Sequence, residues 1–153
     1  VSIFAAFKRV VTNFGVLVEL GASGNTGNIF SLQAPSSGNT IAVGNRGPGF
    51  YVHAFGDVAA PTTGVFSALL DRAKPATGKI DLRKNGASVG ANTLNNSVTG
   101  NFDAAPVYIG RRGGTSAPFS GNLYGLILRG AATAESDVKA AEKFLALKAG
   151  VSL

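Results

Sequence analysis

Apolar and charged residues alternate most clearly in the segment that contains Ile80 and Leu82, where Asp81 and two further charged residues occupy the intervening positions. This two-residue period predicts a strand with one buried and one solvated face. Asn85-Gly86 follows and favours a tight hairpin, because both central residues of a type I′ turn have positive φ. The strands predicted for this central region are Val65–Arg72, Lys79–Lys84 and Ala87–Ala91.

Short apolar runs also recur along the rest of the chain at a spacing of about ten residues, separated by clusters of Gly, Asn and Ser. This spacing is typical of an all-β sandwich or barrel. The first run is apolar nearly throughout, which predicts a strand in the interior of a sheet. The remaining predicted strands are Ser2–Lys8, Gly15–Leu20, Asn28–Leu32, Thr40–Val43, Gly49–Phe55, one beginning at Pro106, and one within Phe119–Leu128.

A helix is predicted for Thr133–Ala149, with Thr133 as its N-cap and Gly150 closing its end. An apolar stripe at helical spacing indicates the packed side. Its predicted members are Ala134, Val138, Ala141 and Leu145, widened by Phe144 and Leu147. The residues predicted to form the cores or the helix seam are Phe4, Phe7, Val18, Leu69, Ile80, Leu82, Ile109, Leu126 and Leu145.

Composition narrows the class of protein. The chain has 153 residues, of which 45% are hydrophobic, and this suits one domain with a substantial core. There is no cysteine, and no apolar run approaches the roughly 18 residues of a membrane span. The net charge of +6 suits an acidic glycan or a nucleic acid, yet the basic residues are scattered without a nucleic-acid-binding motif. We therefore expect ordinary solvated charge, no specific nucleic-acid partner and no membrane insertion.

Three stretches carry a resemblance to a known family. Residues 68–86 read ALLDRAKPATGKIDLRKNG, residues 119–128 read FSGNLYGLIL after an arginine- and glycine-rich strand end, and residues 142–150 read EKFLALKAG. They resemble the concanavalin A-like lectin/glucanase superfamily, and more narrowly the laminin G-like jelly-roll domains of phage virion and bacterial surface proteins. The sequence departs from that pattern with Phe144 for a tyrosine and Ala149 for a tryptophan. The resemblance implies an all-β fold, a two-sheet antiparallel jelly-roll sandwich with one C-terminal α-helix, over a single domain at 1–153.

The resemblance also defines a test for enzymatic activity. Glucanases of this superfamily carry a strand-borne Glu-x-Asp-x-x-Glu, which this chain lacks. Glu135 and Glu142 fall in the predicted helix and are assigned surface and capping roles. Asp71 and Asp81 are interpreted as cross-strand ion-pair partners of neighbouring basic residues. No catalytic residue is assigned, and the chain is expected not to be an enzyme.

A glycan site needs an aromatic ring beside amide, carboxylate or guanidinium groups. The best cluster in the sequence is Asn45, Arg46, Tyr51 and His53, with Arg111 and Arg112 as a second loop candidate. An alternative for every one of these residues is an incidental polar position on a jelly-roll face. Calcium binding through Asp57 or Asp103 stays an open alternative, and no metal or cofactor is assigned.

These observations leave three hypotheses for function. The first is a non-catalytic recognition module on a phage particle or bacterial surface that binds polysaccharide or another glycan. The second is a structural decoration or assembly domain that contacts neighbouring virion or surface-protein subunits, and the least favoured is a glycan hydrolase. In the resembling family a strand precedes the one that begins at Ser2. We therefore expect that an N-terminal strand lies before Val1, or that a partner strand completes the sheet beside residues 1 to 9.

Overall fold

The computed structural model describes residues 1–21, 27–47, 52–75, 78–91 and 98–153, without the side chains of 36–37, 52–57 and 90–91. These residues form ten strands and one helix, numbered here in chain order. Their bounds are β1 Ser2–Arg9, β2 Val16–Leu20, β3 Ile29–Ser37, β4 Thr40–Arg46, β5 Val52–Asp57, β6 Thr62–Leu70, β7 Ile80–Lys84, β8 Ala87–Ala91, β9 Val107–Ile109, β10 Gly121–Arg129 and α1 Glu135–Ala149.

The strands form two five-stranded antiparallel sheets that face each other. The first sheet has the order β10-β1-β6-β7-β8, and the second has the order β5-β4-β3-β2-β9. Apolar residues from the inner faces of both sheets pack into one core, which explains why strands of both sheets are apolar at alternate positions. The predicted two-sheet antiparallel jelly-roll sandwich with one C-terminal helix is confirmed.

The central hairpin forms as its turn residues predict. Asn85 and Gly86 have φ values of 48° and 81°, and β7 and β8 pair antiparallel on either side of them. The Asn85 carboxamide oxygen also accepts a hydrogen bond from the backbone N–H of Val65, which ties the turn to β6. The strand predicted at Val65–Arg72 lies at Thr62–Leu70 instead. Asp71 still donates its N–H to the Lys79 carbonyl, but its carboxylate accepts a hydrogen bond from the Ala73 N–H and begins a turn.

Most of the predicted core is buried. Phe4, Phe7, Val18, Ile80, Leu82 and Leu145 are at most 1% exposed, and Leu69 and Leu126 are partly buried. Ile109 is 55% exposed, so its prediction as a core residue is wrong. The reason is its position in β9, a three-residue strand at the edge of the second sheet, where the opposite sheet does not cover it.

The helix packs on the outside of the first sheet. Val138 and Leu145 contact Phe4 and Val65 in a second apolar cluster, and Gly150 ends the helix with a φ of 66°, as predicted. Thr133 is not the N-cap. Its hydroxyl donates to the Ser2 hydroxyl, and the next residue occupies the cap position without a side-chain hydrogen bond. Within the described ranges, no helix is long and apolar enough to cross a membrane.

The apolar stripe of the helix is narrower than predicted. Phe144 is 52% exposed and Leu147 is 78% exposed, so both lie outside the contact with the sheet. A polar residue occupies part of that contact instead. Glu142 is 1% exposed, and it accepts a hydrogen bond from Ser67 at 2.8 Å and lies 3.3 Å from the Nε of Arg83. Its predicted surface or capping role is therefore wrong.

The ion pairs predicted for Asp71 and Asp81 are wrong, and so is the position predicted for an additional strand beside residues 1 to 9, while a strand before Val1 stays a prediction. Asp81 accepts a hydrogen bond from the Ser88 hydroxyl, and the Asp71 carboxylate is used in its own turn, so neither forms the cross-strand ion pair expected. Strand β1 pairs with β6 on one side and with β10 on the other. No edge of residues 2–9 is left for an additional strand. Among the described strands, the two edges of this sheet are β10 and β8.

Two buried arginines connect the sheets at opposite ends of the sandwich. Arg9, at the end of β1, is 0% exposed and donates to the carbonyl oxygens of Gly38 and Val58 in the second sheet's connections. Arg72, beyond the end of β6, donates to Asn45 Oδ1 at 2.8 Å and to the Arg46 carbonyl at 2.5 Å. Each guanidinium thus satisfies acceptors that the end of a sheet would leave buried and unpaired.

Arg72 also orders the loop that precedes β9. It donates to Asn28 Oδ1 at 2.9 Å and to the Asn101 carbonyl at 3.2 Å, and its guanidinium lies 3.8 Å from the centroid of the Phe102 ring. Burial lowers the pKa of Arg72 to about 10, which leaves it charged at neutral pH. One side chain therefore joins β3, β4 and the loop.

We expect Arg72→Lys to lower the free energy of unfolding by about 3 kcal/mol, because an ammonium cannot reach acceptors on three segments at once. Urea denaturation measures the change. Arg111→Lys, at an exposed position, is the matched control and should stay within about 0.5 kcal/mol of the wild type. Equal stability of both variants would show that Arg72 does not hold the end of the sandwich.

The helix seam yields a second expectation. Leu145→Ala removes a side chain that is 1% exposed between α1 and the first sheet, and should cost about 2 to 5 kcal/mol of unfolding free energy. Leu147→Ala, at a residue 78% exposed two positions along, is the control and should be nearly neutral. Similar losses for the two variants in denaturation experiments would contradict the packing described here.

Candidate functional site

One row of residues crosses the outer face of the second sheet. Tyr108 of β9 lies opposite Glu19 of β2, Glu19 lies opposite Ser31 of β3, and Ser31 lies opposite Gly44 of β4. His53 of β5 completes the row opposite Gly44. Since alternate residues of a strand share a face, Gln33 and Arg46 lie on this side of the sheet as well. We call this set of residues, together with Arg112, the polar face.

The polar face has a buried floor and a half-buried rim. Glu19, Ser31 and Gln33 are 3%, 8% and 7% exposed, and Gln33 Nε2 donates to the Ser31 hydroxyl at 3.1 Å. Tyr108, Arg46 and Arg112 are half-buried around them. Gly44 adds no side chain at the centre of the row. The result is a polar surface with buried central residues, with Arg46 on β4 and Arg112 beside Glu19 of β2.

Glu19 is the electrostatic centre of the polar face. Its carboxylate lies 3.4 Å from Arg112 Nε and accepts a hydrogen bond from the Gly113 N–H at 3.3 Å. Burial raises the pKa of Glu19, while the charge of Arg112, the Gly113 hydrogen bond and the charge of Arg46 oppose that rise. Two cations therefore act on one buried carboxylate.

A tight turn places Arg112 over β2. Gly113 and Gly114 have φ values of 54° and 74°, a region that glycine enters without steric cost, and the Arg112 N–H donates to the Ser116 carbonyl at 2.8 Å. The turn brings the guanidinium 4.7 Å from the centroid of the Phe14 ring and beside Glu19. The glycine-rich sequence of this loop is thus what allows an arginine to fold back onto the sheet.

The structure separates the six predicted site residues. Arg46 and Arg112 act on the same carboxylate, and His53 lies in the same row by register, although its side chain is outside the described residues. Tyr51 also lies outside the described residues. Asn45 faces the interior, is 0% exposed and binds Arg72, so its place corrects the prediction of a surface contact. The sixth residue, Arg111, is exposed on the turn.

Sequence reasoning missed Glu19 and Tyr108. The signal for Glu19 was present, because it is the one charged residue in the apolar strand GVLVEL, and a buried carboxylate requires a partner. Nothing in the local sequence of Tyr108 identifies its neighbour, since the two residues are 89 positions apart and meet only through β2–β9 pairing.

The candidate calcium ligands have other positions. Asp103 accepts hydrogen bonds from the Asn28 N–H at 2.8 Å and from Asn28 Nδ2 at 3.4 Å, which closes a loop against β3. Asp57 lies at the end of β5, and its side chain is outside the described residues. In the part of the chain that the structure describes, no three His, Asp or Glu side chains gather in a metal-binding arrangement.

The raised pKa of Glu19 gives a pH dependence with a definite sign. Below the ordinary glutamate value both the folded and unfolded states are protonated, and above the raised folded pKa the ionised carboxylate disfavours folding. The contribution of Glu19 to the free energy of unfolding should therefore fall as the pH rises from the ordinary glutamate pKa to the raised pKa of the folded state. We expect Glu19→Gln to remove this decrease in the free energy of unfolding measured from pH 4 to 7. Parallel pH profiles for the variant and the wild type would contradict the prediction.

Comparison with known proteins shows the fold. No family model matches the chain, and no curated protein matches it. Among solved structures, the CBM40 module of Ruminococcus gnavus IT-sialidase bound to α2,3-sialyllactose is similar, with 16% identity, a TM-score of 0.69 and coverage of 92% of this chain and 81% of that one. The same module bound to α2,6-sialyllactose gives 16% identity, a TM-score of 0.68 and coverage of 92% and 82%.

A structure of NanB plus Optactamide is similar at 21% identity with a TM-score of 0.64. That match covers 91% of this chain and 23% of the NanB chain, so the likeness concerns one part of a larger protein. At these identities the comparisons show a shared fold. The chain is a jelly-roll β-sandwich of the kind seen in CBM40 carbohydrate-binding modules.

Proposed function

We propose that this chain is a non-catalytic carbohydrate-binding module that holds an anionic glycan on the polar face. The observation that carries the proposal is the buried Glu19 carboxylate with Arg112 3.4 Å from it and the charge of Arg46 on the same face of the sheet. Burying charge is costly unless the charged groups are paired, and such residues mark recognition sites more often than ordinary surface. The fold shared with modules whose structures contain sialyllactose supports this assignment.

The chemistry of the polar face fits an acidic sugar. Arg46 and Arg112 place two guanidinium groups on this face, and a guanidinium forms charge-assisted, often bidentate hydrogen bonds with a carboxylate such as that of a terminal sialic acid. Glu19 oxygens and the Ser31 hydroxyl suit sugar hydroxyl groups, and the Tyr108 ring suits the apolar side of a pyranose. Gly44 carries no side chain at the centre of the row.

The arrangement of acidic residues supports binding without hydrolysis. Glycoside hydrolysis by paired carboxylates needs two such groups about 5 to 9.5 Å apart. Strands β2, β3, β4 and β9 contain one acidic residue, Glu19, and Arg112 forms an ion pair with it. Asp57 is on β5, three strands from Glu19, and lies four residues beyond the position of β5 in the same row. Strand geometry therefore separates the backbones of Asp57 and Glu19 by roughly 20 Å.

The place of action and the partners are part of the same proposal. We assign the module to a phage particle or a bacterial surface, where it would attach its parent protein to polysaccharide. The second candidate is a structural decoration or assembly domain in contact with neighbouring subunits. The open edge at β10 favours this candidate, because an unpaired edge strand is suited to contact with protein.

Titration calorimetry with sialyllactose and with lactose tests the proposal. We expect binding of sialyllactose, at least tenfold weaker binding of lactose, and a loss of at least tenfold in Arg46→Ala, because a charged hydrogen bond is lost. Lys139→Ala removes an equal charge from the exposed surface of α1 and should bind as the wild type does.

Two outcomes would overturn the assignment. Silence toward sialyllactose and toward an array of uronic-acid polysaccharides, with a folded protein, would favour the assembly role. Equal weakening by Arg46→Ala and Lys139→Ala would show that general positive charge, and no site on the polar face, attracts the ligand.

A further inference from the structure

Among the edge strands of the two sheets whose side chains the structure describes, β10 is the longest. It has nine residues, whereas the edge strands β8 and β9 have five and three. Proteins commonly protect an edge strand by shortening it or by adding proline or lysine. Residues 121–129 contain neither, and a bulge opposite Ala6 and Phe7 leaves Gly125–Arg129 as a straight segment.

Backbone pairing at the start of β1 shows which groups are open. The Val1 nitrogen donates to the Leu70 carbonyl at 2.9 Å, and the Leu70 N–H donates to the Val1 carbonyl at 2.8 Å. Val1 therefore directs its backbone groups toward β6. Because the direction alternates along a strand, Ser2 and Phe4 direct theirs toward β10.

The same alternation passes to β10. Ser2 and Phe4 lie opposite Arg129 and Ile127, so these two residues of β10 use their N–H and C=O groups on β1. Leu126 and Leu128 consequently direct both backbone groups away from the sheet. Two residues with outward N–H and C=O groups, one on each side of Ile127, form a ready hydrogen-bonding edge.

We propose that this edge pairs with the same edge of a second copy of the chain, in a two-fold symmetric dimer centred on Ile127. Antiparallel pairing about that centre places Leu126 opposite the second copy's Leu128, and Gly125 opposite its Arg129. The two leucine pairs exchange two hydrogen bonds each, which gives four in total. The segment Gly-Leu-Ile-Leu-Arg is self-complementary in this arrangement, because apolar residues face each other and no like charges do.

The helix adds a second layer to the same contact. Arg129 of β10 lies 3.1 Å from Asp137 of α1, which identifies the side of the helix above β10. Phe144 is seven residues beyond Asp137, hence on that same side, and is 52% exposed. Two-fold pairing of β10 brings two such helices side by side over the joined sheet, where Phe144 packs toward its counterpart. Within the chain this ring contacts the Lys148 ammonium, 5.5 Å from its centroid, and it lies outside the apolar cluster that the described residues form under the helix.

The dimer leaves the polar face free. The helix covers the outside of the first sheet, while the polar face is the outside of the second, so pairing at β10 extends the first sheet without covering the second. A dimer with two glycan sites would bind a surface that displays many glycans more tightly than a single site does. The dimer itself does not depend on the glycan assignment.

Analytical ultracentrifugation of the full chain over a range of concentrations tests the dimer. The contact is small, so we expect association in the micromolar range. Leu128→Pro removes one outward N–H from each copy, a change that an edge strand tolerates, and should weaken association by roughly tenfold or more. Phe144→Lys alters only the helix surface and should weaken it as well. Lys139→Ala, on the opposite flank of the helix beside Arg83, is the control and should leave association unchanged.

Amide exchange provides a local reading in the same samples. Protection of the Leu126 and Leu128 amides should rise with protein concentration, while the Ile127 amide should be protected at every concentration. A chain that stays monomeric up to several hundred micromolar would overturn the proposal. The proposal would be overturned in the same way if the monomer used this edge to bind a strand of another protein. A dimer unaffected by Leu128→Pro and Phe144→Lys would overturn it too, since its interface would lie elsewhere.

Discussion

The two sheets of this protein depend on a pair of buried arginines that join them at opposite ends. Arg9 ends β1 and Arg72 follows β6 in the first sheet, and both donate to oxygen atoms at the ends or connections of strands in the second. A guanidinium has five donors in a rigid planar fork, so it can serve several oxygen atoms on different segments from one position. The apolar core between these ends gives the sandwich its stability, while the arginines fix how one sheet lies over the other.

That arrangement leaves the two outer surfaces with different roles. Helix α1 covers the outside of the first sheet, where Glu142 and Ser67 form a buried polar contact among apolar neighbours. The second sheet has no helix on it within the described residues, and its strands carry Glu19, Ser31 and Arg46 on the outside. A ligand site therefore belongs to the second sheet, and a contact with another copy belongs to the edge of the first.

Local rules succeeded where a backbone conformation or a strict alternation decides the structure. Asn85-Gly86 formed its hairpin and Gly150 ended the helix, because positive φ is a property of the residue and its nearest neighbours. The same rules misplaced Ile109 and Phe144. Both are apolar residues with the correct spacing, and each is exposed because its element lies at the margin of a sheet or turns that side away from the core.

The candidate site shows most clearly which features the sequence decides and which the tertiary structure decides. Composition and alternation by themselves determined an all-β sandwich or barrel, a terminal helix and an excess of positive charge, since these follow from periods of two or 3.6 residues and from counting, and the family resemblance added the two-sheet jelly roll. The tertiary structure alone decided that Arg112 meets Glu19 while Asn45 turns inward to Arg72. Strand order and register set those contacts between residues dozens of positions apart, and the energy of pairing buried charges acts only after the sheets have formed.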